Sequence, residues 1–410
     1  MKIVTLKPEQ FDDYTKKHKY RNYYQTTSYG NTMIDFGYNV HYLGILDDNE
    51  IIIGASLILY KEVFMGNKIA YAPRGLLFEY NNKEQLITLA TKLKSLLGKQ
   101  GFMLLKIDPY IISTIRDNKG NIINFNNETN VIQANLESTD FKYKGKSLYF
   151  EDEKPRWEAL TLLNRDIDTL FKQLSKRTRH KINKAIKSGI EVSIDKNIKD
   201  TYDFIKTKTK KPLSYYEKII NEYNSNVFIA KINTEAFIIN SRKLYENEMT
   251  KNDILAQKIQ TPTKKGIAKK SVLNSKMESD KLLNIYKNNL ILATKLLKDN
   301  PNGLIIGGAI TIDYDNATYL VADGFNKEYS FINPSYLIKW SIITNAKNKN
   351  YKYVNFNGIS GNFENTNKYK NLNEMKLGFN SIITEYIGEF DIILNNFTYS
   401  LYKSFNKNKK

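Results

Sequence analysis

The chain has 410 residues, no cysteine and three histidines, with 41% hydrophobic and 26% charged residues and a formal net charge of +19. Disulfide frameworks, thiolate zinc sites and cysteine nucleophiles are excluded, and His18, His41 and His180 lack metal-ligand spacing. The length points to two domains, the near-average composition to a globular protein, and the charge to a polyanion: nucleic acid, a phosphorylated substrate or an anionic membrane surface.

The first residues, Met1–Lys17, contain no apolar h-region, and the apolar runs Ile51–Tyr60 and Leu304–Ile312 are too short for membrane helices. They read as buried strands, and a cytoplasmic protein is expected. Val40–Leu43 and Gly54–Tyr60 begin a strand-rich unit that continues from Ile69. The amphipathic run Lys83–Leu97, with Leu86, Leu89, Ala90, Leu93 and Leu97 at helical spacing, leads into a strand ending at Ile107-Asp108. Next comes Leu170–Lys187, read as one basic helix stopped by Gly189 before the strand Ile190–Ile194. Its apolar stripe is Leu170, Leu174, Ile182, Ala185 and Ile186, and its middle carries Arg177, Arg179, His180 and Lys181. It suits either phosphate contact or a solvated basic surface. Arginine is informative in a lysine-rich chain, because a guanidinium often marks a bidentate or stacked contact; four of the eight lie between Arg156 and Arg179.

Further along, the first unit repeats. Gly75 pairs with Gly324, Glu79-Tyr80 with Glu328-Tyr329, Leu104-Leu105 with Tyr353-Val354 and Ile107-Asp108 with Phe356-Asn357, all at one constant spacing. Upstream, Val40–Leu43 resembles Val227–Ala230, and Gly54–Tyr60 resembles Gly308–Tyr314, at unequal spacings. A long insertion therefore lies between about Thr234 and Gly303. In it, Leu283, Tyr286, Leu290, Ala293 and Leu297 recur at steps of three and four, with Ile238, Tyr245 and Met249 as a weaker counterpart before the breaker Pro262…Gly266. This reads as a projecting antiparallel helical hairpin, with a pair of core helices as the alternative. The second helix of the repeat, Pro334–Lys347, is opened by Asn333 as N-cap and Pro334. Each copy thus has the strand–strand–strand–helix–strand order of an acetyltransferase-like fold. The expected class is α+β, two tandem GNAT-like subdomains at 1–153 and 154–400, with a coiled-coil arm at 235–302 in the second and a basic tail at 401–410.

Several segments then resemble the FemABX peptidyltransferases: Leu174–Arg179 with Lys184–Val192, Tyr71–Gly75, Lys106–Pro109, Pro334–Trp340, Phe356–Gly361, Lys376–Phe379 and Glu385–Asp391. The likeness spans nearly the whole chain in order. It implies an aminoacyltransferase that uses aminoacyl-tRNA as co-substrate and has no cofactor or metal. The acceptor would be the stem-peptide amine of lipid II or UDP-MurNAc-pentapeptide, the product an interpeptide bridge, and contact with the inner membrane surface peripheral. By the same resemblance Lys376 stabilises developing charge and Asp108 sits in the catalytic site. Arg74, Glu79, Lys211 (with Lys210 as alternative), Tyr215 and Tyr319 bind substrate, and Arg177 and Arg179 hold phosphate or tRNA. Met33 stands where the family often has a lysine. Two rival classes remain: an acetyl-CoA-type N-acyltransferase, against which the glycine-free segments Phe78–Lys83 and Lys327–Asn333 speak, and a non-enzymatic basic nucleic-acid-binding protein.

Overall fold

β-Branched and aromatic runs become strands here, and the glycine-poor amphipathic runs become the helices that cover them. The structure is a computed structural model describing residues 1–209, 211–260 and 270–407. In the first sheet β1 (Lys2–Thr5), β2 (Asn39–Leu46), β3 (Ile52–Phe64) and β4 (Asn67–Ala72) are antiparallel neighbours. Helix Lys83–Lys99 crosses over, and β5 (Phe102–Ile107) runs parallel to β4. The hairpin of β6 (Ile112–Arg116) and β7 (Ile122–Phe125) then leaves for the edge of the second sheet, and β8 (Phe141–Tyr143) returns to the first.

The second sheet repeats the construction. After β9 (Trp157–Leu162) come β10 (Ile190–Asp195), β11 (Asn224–Ile232), β12 (Leu304–Tyr314) and β13 (Ala317–Phe325), the last four antiparallel in order. Helix Pro334–Asn348 crosses, and β14 (Tyr353–Gly358) lies parallel to β13. Finally β15 (Ile382–Tyr386) inserts between β9 and β6, and β16 (Phe390–Ile393) crosses back between β5 and β8. The sheets therefore exchange strands, and a division of the chain at 153/154 does not separate them.

Each crossover helix buries one stripe: Leu86, Leu89, Ala90, Leu93 and Leu97 in the first, Leu337, Ile338, Ile342, Ile343 and Ala346 in the second. Asn82 caps the first by accepting from the Gln85 N–H, whereas Asn333 precedes the second at φ 57 with no side-chain cap bond. The paired glycines mark close crossings. A Cβ at Gly324 would collide with the Phe204 backbone, and one at Gly75 would stand 2.7 Å from Ser56 Oγ.

The basic segment departs from its expected form. Instead of one helix it is two, Ile167–Gln173 and Lys176–Lys187, because Ser175 leaves helical geometry to cap the second by accepting from the Thr178 N–H. Ile186 accordingly falls outside the buried stripe and is 52% exposed.

The insertion holds two long helices, Thr234–Gln260 and Lys270–Asp299; Pro262 and Gly266 lie outside the described residues. Contacts of Thr234 with Asn300 and of Glu248 with Ser279 make the helices antiparallel. Its seam is apolar at the root, where Phe237, Ala293 and Leu296 join the second core. Farther out it is polar: Glu248 accepts from Ser279 Oγ at 2.6 Å, and Asn252 donates to Ser279 and Asp280. Glu248, not Met249, occupies the seam, and Met249 is 41% exposed. Such a network sets register more than it adds stability. Deleting the arm between Tyr245 and Tyr286 behind a short linker is expected to leave a cooperative unfolding transition intact. Deletion of the whole span from Thr234 to Gly303, which removes the root from the core, is expected to abolish it.

Candidate functional site

The exchange of strands places the end of β4 against β9 and β15, and a buried guanidinium fills the junction. Arg74 follows β4 at φ 54 and is 2% exposed. Its backbone N–H donates to Asp108 Oδ1 at 2.6 Å, just past β5, and its Nη2 donates to Glu158 Oε1 on β9 at 2.8 Å and to the Pro155 carbonyl at 2.7 Å. The guanidinium also lies over the Tyr386 ring at 4.4 Å. Burial opposes its charge, but Glu158 and then Asp108 outweigh that and raise its pKa. The second oxygen of Glu158 accepts from Asn355 Nδ2 at 2.7 Å and from the Tyr386 hydroxyl at 2.9 Å.

Above this pair opens a small cleft between the two units, lined by Asn22, Tyr23, Tyr24 and Tyr110 from the first half and Tyr319, Asn355 and Asn357 from the second. Tyr319 shares a hydroxyl hydrogen bond with Tyr353 at 2.8 Å and packs edge-on to Tyr23. Burial holds the phenols of Tyr319 and Tyr386 well above their ordinary pKa, so both remain neutral hydroxyls. Asp108 is buried too, and desolvation, only partly offset by Arg74, pushes its carboxyl up to about 7.

Tyr24 connects this cleft to a recess of lysines and aromatic rings. Lys154 lies over Tyr24 at 4.1 Å and donates to the Tyr29 hydroxyl at 3.4 Å. Lys61 lies over Tyr38 at 3.9 Å, and Lys211 over Tyr215 at 4.9 Å, with Phe36 edge-on to Tyr215. Burial, with Lys154 and Lys61 nearby, lowers the pKa of Lys211; three mutually repelling cations make a receptor for an anion of high charge density. Lys210 lies outside the described residues. Met33 is explained by packing: it is buried among Tyr29, Leu57 and Leu59 on helix Thr27–Ile34.

On the other side of Glu158 lies Lys376, on helix Lys370–Leu377, 8% exposed and donating to the Gly358 carbonyl at 2.7 Å. Burial is the main cause that lowers its pKa to about 7, with Asp323 opposing and Lys339 assisting. Lys339 is fully buried and donates to Asp323 Oδ2 at 2.9 Å and to Ser335 Oγ at 3.1 Å. Burial opposes ionisation of Asp323, but Lys339 and Lys208 hold its carboxyl well below the usual range.

Of the residues singled out from sequence, Arg74 and Tyr319 line the cleft, Asp108 is buried behind Arg74, Lys211 and Tyr215 belong to the lysine–aromatic cluster beside it, and Lys376 lies near Glu158. Glu79 does not join them: it pairs at the surface with Lys19 at 2.8 Å. Arg177 and Arg179 are outside as well, Arg177 paired with Glu374 at 2.7 Å and Arg179 donating to the Lys172 carbonyl. Glu374 and Lys376 share a helix, and Ser175 donates its N–H to the Gly378 carbonyl, so the basic helix is seated against the Lys376 segment.

Sequence reading missed Glu158, Lys339, Lys61 and Lys154. The first two left a signal, a charge inside the apolar run Trp157–Leu160 and another on the buried stripe of helix Pro334–Asn348. The two recess lysines left none. Among the described residues no group of His, Asp or Glu is arranged to hold a metal ion.

A family model described as the FemAB family matches residues 6–407. The aminoacyltransferase FemA of Staphylococcus epidermidis is 24% identical, with all of both chains covered. The lipid II:glycine glycyltransferase of Staphylococcus aureus is 22% identical over 98% of this chain and 95% of its own. The crystal structure of FemX superposes with a TM-score of 0.71 at 21% identity, covering 98% of this chain and 99% of that one, which shows a shared fold.

Because Glu158 neutralises a guanidinium that is only 2% exposed, Glu158→Ala is expected to destabilise the protein by about 3–5 kcal/mol. Glu158→Gln, which keeps one acceptor for Arg74, is expected to cost less; urea unfolding midpoints measure both.

Proposed function

The chain belongs to the FemAB family, and on that premise we propose that it moves an amino acid from aminoacyl-tRNA to the stem-peptide side-chain amine of a peptidoglycan precursor, building the interpeptide bridge. The acceptor is lipid II or UDP-MurNAc-pentapeptide, met by a protein in peripheral contact with the inner membrane surface. One observation carries the reading. A cleft between two acyltransferase-like units is walled by Arg74, Glu158 and Tyr24, and behind these stand a buried carboxyl, a buried lysine and a cluster of lysines, the carboxyl raised and the buried lysine lowered to about 7.

In this reading Lys61, Lys154, Lys211 and the ring of Tyr215 hold the precursor's diphosphate, and Lys61 and Lys154 supply the charge that Met33 does not. Arg74 and Tyr319 line the small cleft at which the stem-peptide amine is met. The acceptor arrives as an ammonium and gives a proton to Asp108. Its nitrogen then attacks the ester carbonyl, the C–N bond forms, and the C–O bond to the terminal ribose breaks, with the ribose oxygen taking up the second proton that the nitrogen sheds. Protonated Lys376 faces the negative charge that develops on the carbonyl oxygen. Exposed Arg177 and half-buried Arg179, on the helix seated against the Lys376 segment, meet the phosphates of the donor RNA.

The direct test supplies a panel of charged tRNAs with lipid II or the UDP-linked precursor and reads the product by mass; labelled acetyl-CoA in the same reaction tests the rival acyl donor. Transfer only from acetyl-CoA would overturn the reading. Lys376→Ala is expected to lower the transfer rate at least about 10-fold. The signs of the two shifts give a bell-shaped pH profile. Activity rises as Asp108 loses its proton near pH 7 and falls as Lys376 loses its own near the same pH. Asp108→Asn should remove the acid limb, and Lys376→Arg, charged throughout, should carry the alkaline limb upward. Replacing Lys61 and Lys154 together by alanine should raise the KM for the precursor about 10-fold or more, with little effect on that for aminoacyl-tRNA.

A further inference from the structure

The last described helix, Asn396–Lys407, packs on the first sheet through half-buried Thr398, Tyr399 and Tyr402. The Tyr402 and Phe405 rings lie against Phe64, at the tip of the β3–β4 hairpin, with centroids 6.2 and 5.3 Å away. Beside that contact the apolar surface continues and is exposed. Phe397, Leu401 and Phe405, at steps of four along one helix face, are 73%, 43% and 46% exposed, and Met65 and Val63 at the hairpin tip are 82% and 44% exposed. Met65 and Phe397 are the two most exposed large apolar side chains among the described residues. Residues 392–410 contain Lys403, Lys407, Lys409 and Lys410 and no acidic residue, and Lys403 lies on the polar side of the helix over Tyr399. No helix among the described residues is long and apolar enough to cross a membrane.

We propose that this helix and the β3–β4 tip together dock the protein on an anionic lipid bilayer, the helix lying in the interface with Phe397, Leu401 and Phe405 toward the lipid and Lys403 toward the headgroups. An aromatic and aliphatic stripe backed by lysines is the pattern of an interfacial helix. Each lysine near an anionic surface adds attraction. A second copy of the chain fits the patch less well. Five side chains fall far short of the roughly 800 Å² per partner of a stable interface, and a symmetric pairing would bring the lysines of both copies together. The inference adds a surface to the reading of a membrane-side acceptor and rests on that reading only for its purpose. Lys61 of the anion recess lies on the same strand as the docking tip, about 13 Å from Met65 at 3.3 Å per residue. A docked protein would therefore hold its recess at headgroup height.

The test is sedimentation of the full chain with vesicles of phosphatidylglycerol and phosphatidylcholine, without tRNA or precursor. Binding is expected to vesicles rich in phosphatidylglycerol, to weaken in high salt, and to be slight with phosphatidylcholine alone. The exposed-site variant carrying Phe397→Ser, Leu401→Ser and Phe405→Ser should bind at least about 10-fold more weakly, and Met65→Ser less so. That triple variant should keep its transfer to UDP-linked precursor while losing transfer to lipid II held in such vesicles. No binding of the native chain, undiminished binding of the triple variant, or a concentration-dependent dimer that the variant abolishes would each overturn the proposal. Since lipid binding is scored without catalysis, it stands or falls separately from the aminoacyl transfer.

Discussion

A guanidinium buried to 2% exposure must find its partners inside the protein, and Arg74 finds them on three different elements. Asp108 comes from the end of β5, Glu158 from β9 of the other sheet, and the ring of Tyr386 from the last residue of β15. Removing either sheet would leave a charge buried without a partner, which is far costlier than losing a surface pair. The constraint therefore locks the two units in one relative placement. The cleft that opens above Arg74 has fixed walls because the same residues that hold the halves together also line it.

The two copies of the repeat use this position in opposite ways. Arg74 stands before Gly75 and Asp323 before Gly324, so equivalent sites carry charges of opposite sign, Arg74 buried and Asp323 half-buried. In the first copy the cation draws in carboxylates; in the second the anion draws in Lys339 and Lys208, with Lys376 nearby. The two clusters meet across Glu158. Duplication supplied two equivalent strand ends, and divergence of one buried charge made one an acidic and the other a basic approach to a common cleft. That asymmetry suits a reaction with a cationic amine on one side and an ester developing negative charge on the other.

Arginine proved informative in a different sense from the expected one. Arg74, Arg116 and Arg156 bind protein carboxylates, Arg156 and Arg116 both on Glu385, whereas anion-facing positions near the cleft are filled by lysine. The delocalised guanidinium is the cation more easily buried beside a carboxylate, and a lysine over a tyrosine face remains available to a ligand. In a chain rich in lysine, rarity therefore marks structural burial as readily as binding.

Much of the architecture was legible because it rests on local periodicity. The constant spacing of the repeat, the stripes of the two crossover helices and the three-and-four steps of the arm depend only on neighbours along the chain. The break at Ser175, the placement of Glu248 in the arm seam and the crossing of β6, β7 and β16 between sheets were not legible, since each is settled by a partner distant in sequence. The same division runs through the site. Arg74, Asp108, Lys211, Tyr215 and Lys376 sit in recognisable motifs, but Lys61 and Lys154 look like any other lysines until folding brings them to Tyr38 and Tyr24. The sequence by itself determined a duplicated α+β chain and the residues that carry its family's motifs. Only the tertiary structure decided which charges are buried together, and with them the placement of the cleft and its anion recess, because the energy of a buried charge depends on neighbours that the chain order does not contain.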